Sequence, residues 1–482
     1  MVIGYGTIQW AGPIVSFFFT PIITRILTPS DYGIADYVLT VASGIGIVAL
    51  FGVPQALMTH FNDYPRDEQW QRHVTGSALF LVILIGLPFA ASLIFLAPQI
   101  SDWSLRDERY AILFQLVGAT LISSAGNTIL MTAAQSALRV RWGMLFSLTT
   151  LAATVLGNIV FIIVLRLGVL GMILVPSASA IALSIVILIV TRGMIGAPQP
   201  AILGQLLRSG MLLLPAMASA WALQMVDRLF LVHVVSTQEL GYYAIANKIA
   251  GLLYVLMAPV YSAWMPLALA MQAEPNATQR YADVARYLIA FVLFAALGLG
   301  LFATEILIVM TRAPYLPAAP YVGFLAYVHV ISTIGTVLST GAMAGKQLSA
   351  ISWTVGASAM VNIILNFALI PSLGLWGATI ATVIGYAVQP VLLYPLIQKR
   401  YPIPYRTVRL LSVILVQVGL MVVGTLLLPP MIFPIRITVK LAILAMLPLA
   451  YIALGVITRF ELRQAAFFLR HRLQLASARI DK

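Results

Sequence analysis

Three charged residues, Asp227, Arg228 and Lys248, lie in stretches that are otherwise apolar enough to cross a membrane. An ionised side chain near the bilayer centre costs roughly 2.5–3.5 kcal/mol on insertion scales, so each charge needs a partner or water. A guanidinium suits the oxygens of a phosphate, whereas an ammonium acts as a point charge. These residues therefore indicate a polar cavity in which a cation binds an anionic group, such as a diphosphate or an acidic sugar.

An ion pair between helices is the alternative explanation. Asp227 and Arg228 are neighbours about 100° apart around a helix, so we expect that they do not face each other. Gln224 shares a face with Asp227, and Lys248 follows Asn247 on the next helix. A pair from Asp227 to Lys248 or Arg228 would make the charges structural, whereas an unpaired cation would remain for a ligand. The sequence leaves both interpretations open.

For four further charged or titratable residues the sequence gives weaker indications of a functional role. Arg25 ends the first span, where it is either a cation that snorkels to the outer interface or a ligand contact. His329 is either a proton carrier or a hydrogen-bonded structural group. Asp36 and Glu305 fall near the outer ends of spans, where exposure to water costs little. We expect no functional role for these two acids.

Two polar stripes recur at helical spacing, one in each half of the chain. They consist of Thr150, Thr154 and Asn158, and of Ser358, Asn362 and Asn366. Such stripes either hydrogen-bond neighbouring helices together, as is common in membrane bundles, or line a path for a sugar.

The composition is that of a polytopic membrane protein, because 61% of the 482 residues are hydrophobic and only 9% are charged. Fourteen apolar stretches of about 20 residues or more are predicted as spans. They cover residues 4–27, 37–58, 74–98, 110–135, 142–165, 169–191, 206–234, 241–265, 284–311, 319–343, 350–371, 375–397, 409–428 and 434–457. The first stretch lacks the features of a cleavable signal, so we expect it to remain as a helix.

The net charge of +13 follows the predicted topology. Of the 28 Lys and Arg residues, 19 fall on one side of the membrane, seven on the other and two within spans. The positive-inside rule places both termini in the cytoplasm, which an even number of spans allows. We therefore attribute the basicity to membrane orientation and expect no nucleic-acid partner.

A repeat of about 207 residues divides the chain. Gly33 and Gly241 follow similar turns 208 positions apart, and Arg139 and Lys346 match at 207. Two six-span halves of the same orientation place a substrate path between them. We predict an N-terminal lobe over residues 1–200, a C-terminal lobe over 201–400, helices 13 and 14 over 401–457, and a basic amphipathic tail over 458–482 on the cytoplasmic leaflet.

Signatures of enzymes are absent from the sequence. It contains no phosphate loop, zinc-type His-Glu-x-x-His, nucleophile elbow or acid-rich metal cluster, and no cysteine. The longest predicted outer loop covers only residues 98–110, which is short for a catalytic loop. We expect no catalytic residue, no metal and no cofactor.

Three blocks together resemble the polysaccharide-transporter flippases of the multidrug, oligosaccharidyl-lipid and polysaccharide (MOP) exporter superfamily. They read PIITRILTPSDYG at 21–33, DR to GYY to NK between 227 and 248, and NIILN to IPSLGLWGA between 362 and 378. The resemblance covers nearly the whole chain.

The resemblance implies a two-lobe, all-α bundle of about fourteen transmembrane helices in the bacterial inner membrane. Its members flip undecaprenyl-diphosphate-linked oligosaccharides by alternating access, for O-antigen, capsule or exopolysaccharide. In their cationic cavity Arg25, Arg228 and Lys248, with Asp227, become candidate contacts of the head group. Candidate polar lining residues are Asn158, Asn247, Asn362, Asn366 and His329.

Helices 13 and 14 would shape a groove for the lipid tail. Membrane lipids, a polysaccharide polymerase and chain-length machinery are the implied partners. Three alternatives remain: a multidrug or cation antiporter of the same superfamily, a membrane glycosyltransferase or polymerase, and a non-transporting scaffold of a polysaccharide-assembly complex.

Overall fold

The structure, a computed structural model, describes residues 11–271, 274–427, 432–457 and 461, and within these ranges it contains helices and no strand. The α-helices are α1 (Ala11–Ile26), α2 (Pro29–Leu50), α3 (Val53–His60), α4 (Glu68–Phe95), α5 (Ala97–Leu105), α6 (Ala111–Ser136), α7 (Val140–Gly157), α8 (Gly168–Thr191), α9 (Pro200–Val234), α10 (Thr237–Ala250), α11 (Leu252–Met271), α12 (Ala277–Leu301), α13 (Ala303–Met310), α14 (Ala319–Ala344), α15 (Leu348–Leu373), α16 (Leu375–Arg400), α17 (Thr407–Val422) and α18 (Phe433–Ala453). Helices α7 and α17 continue as π-helical turns over Asn158–Val164 and Val423–Leu427.

The predicted all-α, polytopic fold is confirmed. In the described part of the chain, 13 helical segments are long and apolar enough to cross a membrane, and Ser16–Ile26 is a shorter apolar helix. Together they correspond to the fourteen predicted spans. The start of the first predicted span, residues 4–10, lies outside the described residues, as does the predicted tail apart from Glu461.

The stretch predicted as the longest outer loop, residues 98–110, is largely helical. It contains most of α5 and a 3₁₀ turn over Glu108–Tyr110. Ser101 closes this segment by donating its hydroxyl to the carbonyl of Asp107 at 2.6 Å. Proline near the start of α5 suits a helix N-terminus, where its missing N–H has no partner to lose.

The repeat is visible in the order of helix packing. In the first half α4, α6 and α8 are successive neighbours and α7 packs on α8, and in the second half α12, α14 and α16 are successive neighbours and α15 packs on α16. Helix α9 contacts both halves. Its residues Ile202 and Leu206 are buried with α3 and α4, whereas Leu223 and Val226 are buried against α15.

Helices α2 and α10 begin with the same device. Thr28 caps α2 in a capping box with Asp31, and Ser236 caps α10 in a capping box with Glu239. In each box the hydroxyl accepts from the third helical N–H while the carboxylate accepts from the cap N–H, which satisfies two free donors of the first turn. The paired turns of the repeat therefore fix where both helices start.

The same two helix starts contact each other at a surface that we call the junction, defined by Ser30, Gly33, Thr237 and Gly241. The hydroxyls of Ser30 and Thr237 are 2.7 Å apart. A Cβ on Gly33 would come within 2.3 Å of the Thr237 carbonyl, so the two backbones approach as closely as glycine allows. The repeat glycines thus let the two halves meet.

Helix α17 docks on the second half through a methionine. Met421 is fully buried. A Cβ added to Gly300 of α12 would lie 2.3 Å from the Met421 sulfur, and one added to Gly323 of α14 would lie 2.8 Å from it, so both positions need glycine. Helix α18 is attached to α12 by the Tyr451 hydroxyl, which donates to the Ala290 carbonyl at 2.6 Å. Helices α17 and α18 therefore pack on the second half.

Two charge clusters reinforce this attachment. Lys440 of α18 lies 2.8 Å from the carboxylate of Glu305 on α13, and Arg436 lies 3.0 Å from the same group. At the other end of α18, Arg286 of α12 lies 2.6 Å from Glu461. Because Lys440 and Arg286 are buried, these pairs supply the counter-charges that their burial requires.

Candidate functional site

Four charged residues form a cluster where α2, α9 and α10 meet, close to the junction. Asp227 and Arg228 are buried on α9, Asp36 is half-buried on α2, and Lys248 is half-buried on α10. The cluster carries two acids and two bases, so its formal charges balance. It lies where helices of the two halves contact each other.

Arg228 is the centre of the cluster. Its Nε donates to Asp36 Oδ2 at 2.7 Å, and its Nη1 donates to Asp227 Oδ1 at 3.0 Å and to the Gln224 carbonyl one turn earlier at 3.0 Å. The bond to Asp36 joins α2 of the first half to α9. A buried guanidinium with two carboxylates is charge-neutralised, and truncating it would leave buried acids unpaired.

The expectation that Asp227 and Arg228 do not face each other was wrong. Their Cβ atoms diverge around the helix, but the long arginine side chain curls back until Nη1 reaches Asp227 Oδ1. Rules for neighbouring positions on exposed helices describe side chains that extend into water. For buried side chains the cost of an unpaired charge exceeds the cost of a curled rotamer, so the neighbours pair.

Asp227 also joins α9 to two other helices. The Tyr243 hydroxyl on α10 donates to Asp227 Oδ2 at 2.5 Å, and the Thr382 hydroxyl on α16 donates to the same oxygen at 3.3 Å. The backbone N–H of Arg228 donates to the other oxygen at 2.8 Å. Asp227 is therefore fixed by donors from three helices.

Lys248 has a different environment. No carboxylate among the described residues lies within ion-pair distance of its ammonium, which is 5.7 Å from the centroid of the Tyr32 ring. Tyr32 and Asp36 are one turn apart on α2, so Lys248 lies beside the face that carries Asp36. Of the two interpretations of the charges, the ion pair holds for Arg228, and Lys248 is the cation without a carboxylate partner within the ranges that the structure describes.

Sequence reasoning missed Asp36. The second span was predicted to begin at residue 37, which left Asp36 outside the helix, whereas α2 begins at Pro29. The signal was present, because Thr28 and Asp31 form a capping-box pattern and proline is favoured at the first helical position. A helix start at residue 29 places Asp36 two turns inside the helix, where a charge needs an explanation.

The remaining candidates lie apart from this cluster. Arg25 is exposed at the end of α1, and its carbonyl accepts from Arg312 at 3.0 Å. His329 is half-buried on α14, with its ring 6.4 Å from that of Tyr254. Asn247 is half-buried on α10 and donates to the Tyr243 carbonyl one turn earlier.

The polar stripes make hydrogen bonds within their own halves. Asn362 donates to the Ala381 carbonyl on α16 at 3.2 Å, and Asn366 donates to Asn362 at 3.1 Å. In the first half, Asn158 donates to the carbonyl of Thr154 at 2.7 Å. All three amides are buried. Of these three bonds, only that of Asn362 joins two helices, whereas those of Asn366 and Asn158 stay within one helix.

The family of the chain follows from its sequence. Residues 2–272, more than half of the chain, match the family described as "Polysaccharide biosynthesis protein". No curated protein shows significant sequence similarity to the chain.

Several solved structures have the same fold. An inward-facing multidrug resistance MATE family transporter of the MOP superfamily is 14% identical with a TM-score of 0.64, and the match covers 83% of this chain and 94% of that one. Lipid II flippase MurJ in an inward closed conformation is 14% identical with a TM-score of 0.66, covering 91% of this chain and 98% of that one. A MATE protein in a straight conformation is 16% identical with a TM-score of 0.56, covering 83% and 94%.

The family match and these folds agree with the resemblance that the sequence blocks indicated. The chain belongs to the polysaccharide biosynthesis protein family and has the fold of transporters of the MOP superfamily.

Proposed function

We propose that this protein flips undecaprenyl-diphosphate-linked oligosaccharides across the bacterial inner membrane by alternating access, with both termini in the cytoplasm. The observation that carries the proposal is Lys248, an intramembrane cation with no carboxylate partner among the described residues, which lies beside the junction of the two halves. Such a cation is expensive to keep in a membrane unless it has a ligand.

The substrate explains why a cation is needed there. A diphosphate and a polar glycan cannot cross hydrocarbon unaided, because they would lose their hydration without compensation. Lys248 and Arg228 offer fixed positive charge that replaces part of this hydration, while the polyprenyl tail remains in lipid. In this proposal Asp227 holds Arg228 in position, and Arg25 contacts the head group where it reaches the surface.

The position of the junction indicates which side of the membrane is closed in this proposal. By the positive-inside rule the turn from α1 to α2 faces outward, so the contact of Ser30 with Thr237 closes the outer side. In an alternating-access cycle this contact separates to release the glycan. The two halves then move as lobes covering residues 1–200 and 201–400.

A genetic complementation experiment tests the function. A strain that lacks the gene receives the wild-type protein, the Lys248→Ala variant or, as a matched control, Lys346→Ala, which removes an exposed lysine between α14 and α15. Undecaprenyl-linked glycans are identified by mass spectrometry, and an impermeant glycan-binding reagent reports their leaflet.

We expect a complete repeat unit to accumulate in the cytoplasmic leaflet without the gene and with Lys248→Ala, but not with Lys346→Ala. Normal lipid-linked glycans in the deletion strain would contradict the flippase. Normal export by Lys248→Ala at wild-type protein levels would remove this residue from the site.

The alternative is a multidrug or cation antiporter, which the two acids of the cluster favour, since Asp36 and Asp227 resemble a cation-binding pair in charge. An antiporter predicts altered sensitivity to cationic drugs in the deletion strain, with a normal lipid-linked pool. It also predicts that deleting α17 and α18 leaves drug export intact.

A further inference from the structure

Arg228 contacts two carboxylates that are held very differently. The side chain of Asp227 is 3% exposed and accepts from Tyr243 and Thr382 as well as from the Arg228 backbone. These donors belong to helices that surround Asp227, so they keep it in place whatever the guanidinium binds. Asp227 is a permanent part of the site.

The Asp36 carboxylate has one hydrogen-bond donor among the described residues. It accepts from Arg228 Nε at 2.7 Å and accepts no other hydrogen bond from the residues that the structure describes. The Asp36 side chain is 28% exposed, so water or a ligand can reach it. If the Asp36 carboxylate moves away from Arg228, no donor other than Arg228 Nε loses its hydrogen bond, whereas Asp227 has several other donors.

The guanidinium has an unused donor beside Asp36. Nη1 is engaged by Asp227 and by the Gln224 carbonyl, but Nη2 makes no hydrogen bond to a described residue. Nε and Nη2 form one edge of the guanidinium, and two phosphate oxygens fit such an edge in a bidentate pair. Asp36 uses only half of this edge. A phosphate would use both donors.

We infer that Asp36 is a displaceable counter-ion, which occupies the phosphate position on Arg228 until the diphosphate of the substrate replaces it. Lys248 lies beside the same face of α2 and supplies the second positive charge. The inference rests on the proposed function, because it takes the diphosphate as the ligand. Without a bound anion, Asp36 keeps the buried cation neutralised.

This exchange couples binding to movement. The bond between Asp36 and Arg228 joins α2 to α9, and Asp36 lies one turn from Gly33 of the junction. When a phosphate takes the guanidinium edge, this tie between the halves is lost. A ligand shifts a conformational equilibrium only by differential affinity for its states, and displacement of a bridging carboxylate supplies that difference. Substrate binding therefore loosens the junction.

The absence of cysteine from the sequence makes the test direct. Ser30→Cys combined with Thr237→Cys places two thiols where hydroxyls now lie 2.7 Å apart, so the rate of disulfide formation reports closure of the junction. The full chain carrying this pair is placed in lipid nanodiscs with undecaprenyl diphosphate, or with uncharged undecaprenol as the control ligand. Binding of each lipid is measured in parallel by native mass spectrometry.

We expect undecaprenyl diphosphate, but not undecaprenol, to slow disulfide formation. Asp36→Asn should slow it without ligand and should bind undecaprenyl diphosphate on the order of tenfold more tightly, because the competing anion is gone. Asp36→Glu should behave like the wild type, since it restores the charge. Asp102→Asn, which removes an exposed acid on α5, should change nothing.

The outcomes separate the two claims. Binding of undecaprenyl diphosphate without any change in disulfide formation, or with equal affinity in Asp36→Asn, overturns the displaceable counter-ion and leaves the flippase standing. No binding by any variant overturns the proposed function and this inference with it. If Asp36→Asn fails to fold, the comparison of the two lipids on the cysteine pair still decides whether the anion loosens the junction.

Discussion

Ser30 and Thr237, which are 207 positions apart in the chain, lie hydroxyl to hydroxyl at 2.7 Å. At this turn the halves correspond at an offset of 208, as Gly33 and Gly241 do, so Ser30 lies one position away from the equivalent of Thr237. The contacts around the two hydroxyls are related by that offset, because a Cβ on Gly33 would meet the Thr237 carbonyl and a Cβ on Gly241 would meet the Pro29 carbonyl. The junction is therefore a direct contact between the halves, and any movement that separates α2 from α10 lengthens it.

A disulfide at this point should stop transport. In the Ser30→Cys/Thr237→Cys variant, oxidation should abolish glycan export and reduction should restore it, because the covalent bond holds α2 against α10. Export is measured in whole cells with and without a reductant. Each single cysteine variant is the control and should export normally in both conditions. Undiminished export by a fully cross-linked protein would show that the junction does not open.

Gly241→Ala should weaken the junction. A Cβ there would lie 1.8 Å from the Pro29 carbonyl of α2, a backbone atom that cannot rotate away. Overpacking of this kind costs typically about 1–3 kcal/mol, and here the helices can relieve it by separating. We expect slower cross-linking of the cysteine pair and a lower Tm. Gly46→Ala on α2, where a Cβ meets nothing within 4 Å, is the matched control. Equal cross-linking in both alanine variants would contradict the close approach.

Arg228→Ala and Lys248→Ala should differ in stability. Removing Arg228 leaves Asp227 buried without a cation, and breaking a buried pair costs about 3–5 kcal/mol. Removing Lys248 leaves no acid without its partner, so its variant should retain the wild-type Tm while losing transport. Thermal unfolding in detergent distinguishes them. Equal Tm values would show that the Arg228 network contributes little to folding.

Glu305→Gln should loosen α18. The amide would leave Lys440, which is buried, and Arg436 without their shared counter-charge. We expect a loss of about 3–5 kcal/mol locally, seen as faster hydrogen exchange in α17 and α18 than in α14. Glu108→Gln, which changes an exposed acid, should leave exchange unaltered. Unchanged exchange in Glu305→Gln would mean that the packing around Met421, the Tyr451 hydrogen bond and the Arg286–Glu461 pair hold these helices without it.

Much of the architecture could be read from the sequence, since apolar stretches of membrane length leave few alternatives to helices. Gly33 and Gly241, which follow similar turns, indicated a repeat, and the two halves with a path between them stay a prediction. Boundaries were less accurate: predicted span 8 is broken at Gly251 into α10 and α11, and residues 98–110 contain α5. A hydropathy pattern does not show a break in a helix when the residues on both sides are apolar. It also does not show a short helix between two spans.

The sequence by itself determined that charges at positions 227, 228 and 248 need an explanation, because no arrangement of an apolar chain makes a buried charge free of cost. Only the tertiary structure decided which of them are paired. Arg228 is neutralised by its own neighbour and by Asp36, 192 positions earlier, whereas Lys248 contacts the face of Tyr32. Pairing depends on distances of a few ångströms between helices far apart in the chain. The sequence shows that a charge within a span needs a partner, and the packing of the helices determines which residue that partner is.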